Sequence, residues 1–336
     1  MTSSFSENRF MRRFGLTTPI ALAPMALASG GELAAACAKA GALGLIGGGY
    51  GDLDWTEREY SIAAQALSTE PDAAARLGCG FITWKMEQDR SALDYVLERE
   101  VKPAAIMLSF GEPGAIARDV VSRGVPLIYQ IQTMAQLPPA VDAGASVIVA
   151  QGAEAGGHGM NAFDGRSTFT FVPEIADWLA VNAPEVDLLA AGGVADGRGL
   201  AAAMTLGTDG ALIGSRLWAT KESLAPDAAI DQAVQAAGDD TARSAVFDIL
   251  REKDWPEEYD FRSLRNAICR KWEDRLDELR ADPAAAIADY KAGVAAGDYN
   301  RAHVTVGEGT GLIKENTSAA DVIASITADA QRLLVL

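Results

Sequence analysis

The sequence predicts an α/β chain whose first two thirds close into a (β/α)8 barrel, a TIM barrel, with a helical extension over the barrel mouth. Two observations carry that prediction. Eight short apolar runs alternate with segments of helical pattern between Pro19 and Gly214, which is the signature of parallel strands joined by crossover helices. Several of those runs stop at a glycine or proline turn, where barrel enzymes carry their chemistry. An open doubly wound sheet shares the alternation, but eight units favour closure.

The elements follow in order. Met1–Leu16 is polar and basic and reads as an arm over the barrel floor, after which Pro19–Ala23 forms the first strand and ends at Pro24-Met25. Helix Gly31–Ala40, strand Leu43–Ile46 with its Gly47-Gly48-Gly49 turn, and helix Trp55–Leu67 complete the next unit. Strand Gly78–Thr83 precedes helix Ser91–Glu100, strand Ala104–Ser109 precedes helix Pro113–Arg123, and strand Val125–Gln130 precedes a helix over Met134–Ala143 that contains Pro138-Pro139. Strand Ser146–Ala150, a helix near Val172–Asn182, strand Asp187–Ala191, helix Ala195–Leu206 and strand Gly210–Gly214 finish the barrel, assigned to residues 1–222. Residues 223–306 show no strand pattern and read as a helical substrate-side extension, and residues 307–336 as a loop (Gly307–Gly311) and a helix (Ala319–Leu333) returning to the barrel.

Composition narrows the class of function. The 336 residues are 49% hydrophobic and 22% charged, ordinary for a globular chain able to bury a large core. A net charge of −17 argues against nucleic acid or an anionic membrane as partner. Cys37, Cys79 and Cys269 are odd in number and far apart, so they form neither a disulfide framework nor a metal site. Two histidines exclude a histidine-rich metal centre, and no metal is expected. The run Ile20–Ala28 follows arginines as a signal peptide would, but Pro24 interrupts it and it is too short to span a bilayer. The expected setting is the cytoplasm and the expected partner a small molecule, with a homodimer left open.

The stretch Val147–Met160 is the centre of interest. A β-branched run ends at Ala150, and the turn that follows holds Gly152, Gly156, Gly157 and Gly159 around His158. An imidazole just past a buried strand is placed to move a proton near neutral pH. Two further turns stand after strands seven and eight: Gly192-Gly193, before a helix that Asp196 can cap, and Gly214-Ser215. Bare amides at that position are the usual phosphate site of barrel enzymes. Ala23-Pro24-Met25 offers an apolar floor for a ring, and the amides of Gln130 and Gln151 can both donate to and accept from ring heteroatoms. A planar polar ring across strands one, five and six, with a phosphate at seven and eight, describes FMN.

The motifs APM, QGAEAGGHG, AAGGVADGRG and IGSRLWATKES, in that order, make the chain resemble the nitronate monooxygenase (2-nitropropane dioxygenase) family over Pro19–Ser223, and more weakly over Gly307–Ile326. The resemblance implies an FMN-dependent barrel that oxidises alkyl nitronates, or nitroalkanes, with O2. By position it gives the phosphate to Gly192, Gly193, Gly214 and Ser215, the isoalloxazine face to Ala23, Pro24 and Met25, the flavin lining to Gln130, Gln151, Gly156 and Gly157, and the role of catalytic base to His158. Two departures bear on the substrate. Gly80, in LGCGF, stands where relatives often have asparagine, leaving a polar contact unfilled, and Gly159-Met160 replaces a basic residue that some relatives carry.

Other residues read as structural. Glu154 is expected to be a solvated loop carboxylate, Lys85 a surface lysine and Arg216 a structural partner, while His303 has no assigned role. Trp84, Trp218 and Tyr299 are candidates for an apolar pocket. The rival enzyme reading is an NAD(P)H-dependent flavin reductase of enoyl thioesters or quinones. The rival of another class is a non-catalytic flavin-binding barrel.

Overall fold

A computed structural model describes residues 8–335. Eight parallel strands form one sheet, interrupted in the chain by a strand that leaves it. In order these are β1 (Ile20–Leu22), β2 (Gly44–Gly49), β3 (Leu77–Ile82), β4 (Ile106–Ser109), β5 (Leu127–Ile131), β6 (Val147–Gln151), the departing β7 (Gly157–Met160), β8 (Asp187–Ala191) and β9 (Gly210–Ile213). The sheet runs β1-β9-β8-β6-β5-β4-β3-β2. A parallel bridge between Ala21 and Leu43 joins its two edges and closes the barrel. The seam is held by Leu22 N donating to Leu43 O at 2.9 Å and Leu43 N to Ile20 O at 3.0 Å.

The barrel strands are buried on both faces because two apolar layers meet on them. One layer fills the barrel, with Ala21, Leu45, Met107, Val149 and Leu189. The other lies between the strands and the surrounding helices, with Leu22, Ile46, Leu108, Ile148 and Ile213. The surrounding helices follow the sequence expectations within a few residues at most boundaries. The helix expected over Met134–Ala143 divides into a 3-10 turn (Met134–Gln136) and an α-helix (Leu137–Asp142), whose first turn accepts Pro138-Pro139 because amides there need no partner within the helix. The helix expected from Val172 begins earlier, at Thr168, and runs to Asn182.

Three expectations need correction. The expected N-terminal arm is, within its described part, a short helix (Arg9–Phe14) capped by Asn8; residues 1–7 lie outside the described residues. Its Phe10 and Phe14 join the interior layer and plug the floor, while Arg13 Nε meets the buried Asp187 carboxylate at 2.6 Å. The extension over residues 223–306 is also not wholly helical. It carries β10 (Thr241–Ser244) and β11 (Tyr259–Leu264), which pair antiparallel with β7 in the order β10-β11-β7. These strands were missed because β10 is short and carries no apolar pattern, and β11 is half-buried, with Tyr259 and Phe261 alternating with Asp260 and Arg262. Finally, the loop Gly307–Gly311 contains a 3-10 turn, Glu308–Leu312, before the last helix, Ala319–Leu334, packs on the helix Gly197–Thr205.

The three cysteines are free and buried. Among the described residues no helix is long and apolar enough to cross a membrane.

Candidate active site

The barrel strands end at their C-terminal face in a cavity of about 590 Å3, roofed by segments of the extension. Each residue picked out from the sequence as a site residue lines it. The turn after β1 brings Ala23, Pro24 and Met25 to the floor, fixed by Ala23 N donating to Ile213 O at 3.0 Å and Met25 N to Ser29 Oγ at 2.7 Å. At Gly80 no side chain fits without a shift of Pro24. A Cβ there would stand 2.3 Å from Pro24 Cγ, so the proline ring itself takes the space.

At the end of β5, Gln130 faces the cavity with its Nε2 buried and without a hydrogen-bond partner. A buried amide is rarely left so, and together with the apolar floor it suits a flat heteroaromatic ring. Gln151 differs from expectation: its amide is engaged within the protein. Nε2 donates to His158 O at 3.0 Å, and Oε1 accepts from Gln132 Nε2 at 3.0 Å. It therefore fixes the backbone of the histidine while lining the cavity.

Gly192 and Gly193 follow β8 with φ of 104° and 75°, conformations open to glycine at little cost. Gly214 and Ser215 flank them after β9 in the same cavity wall. The helix N-terminus beyond Gly193 is already satisfied, because Asp196 accepts from Arg198 N at 3.0 Å and Gly199 N at 3.1 Å. An anion at this end would thus meet the turns rather than those helix amides. The sequence had not placed Gly307 here. Gly307 donates its N–H to Ser215 Oγ at 2.9 Å, leaving the hydroxyl proton free to be donated onward. Gly307 also packs so closely on Gly156 that a Cβ on Gly156 would stand 2.5 Å from Gly307 N. Three glycine turns thus meet at one end of the cavity.

His158 sits on β7, opposite Phe261 of β11. Its Nε2 lies 2.9 Å from Asp248 Oδ1. A carboxylate accepts only, so the proton sits on Nε2 and Nδ1 carries the lone pair. The ring stacks on Trp255 with centroids 3.4 Å apart and planes 11° apart. Burial pushes its pKa below the ordinary value, and the Asp248 carboxylate pulls it partly back up. The imidazole is therefore neutral near pH 7. Behind it, Arg243 ties the loop down by donating to Ala155 O at 2.8 Å, Asp260 O at 2.7 Å and Gly157 O at 3.2 Å.

Sequence reasoning missed Asp248, Trp255, Arg243 and Arg251, because all arrive from the extension, about a hundred residues from His158 in the chain. Glu154 is a half-buried carboxylate of the cavity wall rather than a free loop acid: it accepts from Thr168 N and Oγ1, at 3.0 and 2.9 Å, and anchors the start of the helix Thr168–Asn182. Arg216 is buried and donates to Ala219 O at 3.1 Å, a structural contact. Lys85 Nζ reaches the exposed Gln88 at 3.1 Å. Trp218 and Tyr299 line the cavity, and so does His303, to which no role had been given.

A family model described as nitronate monooxygenase matches residues 8–329. The chain is 32% identical to the nitronate monooxygenase npaC of Metarhizium robertsii, aligned over 93% of this chain and 90% of that one. It is 30% identical to a nitronate monooxygenase of Neurospora crassa, over 92% and 88% respectively. Among solved structures, FabK from Thermotoga maritima superposes with a TM-score of 0.79 at 26% identity, covering 98% of this chain and 97% of that one.

Proposed function

The chain belongs to the nitronate monooxygenase family of oxidoreductases, and on that premise we propose that it binds FMN in the barrel-mouth cavity and oxidises alkyl nitronates with O2, with His158 as the base when the substrate arrives as a neutral nitroalkane. One observation carries the proposal: His158 and the turns Gly192-Gly193 and Gly214-Ser215 open onto the same cavity. The residues present fit the cofactor. The glycine turns and the Ser215 hydroxyl would hold its phosphate, Ala23 to Met25 would lie against its ring, and the unpartnered Gln130 Nε2 would find an acceptor on a ring heteroatom. Bound there, FMN supplies the electron transfer from substrate to O2, chemistry that no side chain can perform.

The protein does the rest. The Nδ1 lone pair of His158 takes the proton from the carbon that bears the nitro group. Asp248 holds the Nε2 proton and steadies the imidazolium that forms, as a carboxylate behind a catalytic histidine does. Trp255 covers one face of the ring, and Phe110 and Tyr259 flank Trp255 at centroid distances of 5.0 and 6.0 Å, so the imidazole is buried among aromatic rings on this side.

The test is reconstitution with FMN followed by anaerobic mixing with a nitronate. Bleaching of the bound flavin, and O2 uptake once air is admitted, is the expected result. His158→Asn should lose roughly 10²–10⁴-fold in kcat/KM on the neutral nitroalkane while losing much less on the preformed nitronate. A protein that takes up no FMN, or a variant equally impaired on both substrates, removes the proposal or its base.

A further inference from the structure

A third glutamine stands behind His158, and no step of the proposed chemistry uses it. Strands β5 and β6 are parallel neighbours with Ile131 opposite Ala150, so Gln132 lies beside Gln151 one residue further on. The two-residue period of a strand puts both on the interior side, Gln132 above Ile128 and Gln151 above Val147 and Val149. Gln132 is buried and does not reach the barrel-mouth cavity. Its backbone is pinned by the 3-10 turn that follows: Gln136 Oε1 accepts from Gln132 N at 2.7 Å and from Thr133 N at 3.2 Å.

The hydrogen bonds along this line permit a single order. His158 O is a carbonyl and can only accept, so the Gln151 group that faces it at 3.0 Å is Nε2. The other end of that amide, Oε1, faces Gln132 at 3.0 Å and needs a donor, so Gln132 presents its own Nε2. The line then ends on Gln132 Oε1, which is buried without a partner. An orphaned buried acceptor is costly and uncommon. Turning the Gln132 amide over would set two oxygens against each other at Gln151. Turning Gln151 as well would set its oxygen against His158 O. The unmet group therefore stands at the end of the line remote from the histidine.

The other contacts on this part of the chain hold different groups. Arg243 donates to the carbonyls of Ala155 and Gly157, while Asp248 and Trp255 hold the imidazole itself. Gln151 holds the carbonyl of the histidine, between those two sets. An amide that is free to turn would present oxygen there as readily as nitrogen, and Gln132 removes that freedom.

We propose that Gln132 is a positioning residue for His158: it locks the Gln151 amide in the orientation that donates to His158 O, and so fixes where the imidazole stands over the cavity. This rests on the function proposed above and adds the group that aims its base. A displacement of about 1 Å, caused far from the reacting atoms, can cost about 10²-fold in rate, so a residue that touches no ligand can still govern proton transfer.

Two variants of the FMN-reconstituted protein test this. Gln132→Met keeps the length of the side chain and imposes no orientation on Gln151. Gln132→Glu imposes the opposite one, because an ionised carboxylate only accepts. Arg166, the charged residue lining the small space beside these amides, favours the ionised form. On a neutral nitroalkane, kcat/KM should fall about tenfold in Gln132→Met and about 10²-fold in Gln132→Glu, with much smaller losses on the preformed nitronate, which needs no base. Histidine side-chain NMR gives a second reading, simplified by there being two histidines in the chain. His158 should be protonated on Nε2 in wild type and show a changed tautomer balance in Gln132→Glu, as the ring moves from Asp248. Equal rates for the two variants on the nitroalkane, or equal losses on both substrates, overturn the assignment. Should Gln132→Glu not fold, Gln132→Met decides: a loss confined to the nitroalkane supports it, and a wild-type rate overturns it. A wild type that turns over neither substrate removes the proposed reaction, and the imidazole signals then decide alone. Unchanged signals in Gln132→Glu overturn the positioning role, and a changed tautomer balance supports it.

Discussion

Asp248 is the residue on which the proposed base chemistry of His158 turns. It sits 2.9 Å from Nε2, is 5% exposed, and keeps its second oxygen buried and unpartnered. Burial, Arg251 and Arg243 all push the imidazole pKa down, and Asp248 alone among its neighbours pushes it up. Replacing Asp248 with Asn removes the charge but keeps an oxygen that can accept from Nε2. The His158 pKa then falls further below its ordinary value, so protonation of the base, and with it loss of activity, begins at a lower pH. Asp248→Asn should therefore move the acid limb of the kcat/KM profile on a neutral nitroalkane to lower pH. It should also reduce the plateau by about 10–100-fold, because a weaker base with a less strongly fixed tautomer removes the proton more slowly. A pH–rate profile of both proteins measures this directly. An acid limb that stays in place or moves to higher pH would show that the carboxylate does not act through His158.

At the scale of elements, what was legible and what was not separates by the range of the cause. The barrel strands announce themselves because both faces are buried, so each is a short unbroken apolar run between turn residues. The glycine turns after β8 and β9 were legible for the same local reason. The sheet β10-β11-β7 was not, because it is half-exposed and pairs residues about a hundred positions apart, such as His158 with Phe261. Asp248, Trp255 and Arg251 come with that sheet and the segments beside it, so nothing local could have named them. The N-terminal helix shows a third case. Its polar, basic sequence suggested an arm over the barrel floor, but not that Arg9 and Arg13 would turn to Asp209 and Asp187 while Phe10 and Phe14 face inward. This helix closes the end of the barrel opposite the cavity. Phe10 is fully buried, and Phe10→Ala would open a cavity in the interior layer at a cost of about 3–5 kcal/mol. Its thermal midpoint should fall by several degrees while the KM for substrate changes little, since the plug is a barrel length from the mouth. A midpoint equal to that of wild type would show the helix to be dispensable packing.

For the whole molecule, the cavity ties together parts of the chain that are otherwise held by separate cores. One core surrounds the barrel, another joins Trp218 to Ile230, Val304 and Ile313, and a third lies within the extension around Phe247, Phe261 and Tyr290. Residues from all of these line the cavity, from Ala23 near one end of the chain to Gly309 near the other. A ligand seated across it links them, and anything that binds only the folded state stabilises it by mass action. At a free concentration of 100 times Kd the gain is about 2.7 kcal/mol, which for a protein of this size corresponds to a rise in the thermal midpoint of roughly 4 °C. The proposed role of the glycine turns makes the expectation more specific, because turns that hold a phosphate would contribute only to a ligand that carries one. FMN should raise the midpoint and slow proteolysis of the segment at residues 302–312, whose Gly307 donates to Ser215 Oγ at the glycine-turn end of the cavity. Riboflavin, with the same ring and no phosphate, should do much less of both at equal concentration. Thermal unfolding and limited proteolysis with each ligand decide between the outcomes. Equal effects from the two would remove the phosphate from the turns after β8 and β9, and with it the proposed placement of FMN in the cavity.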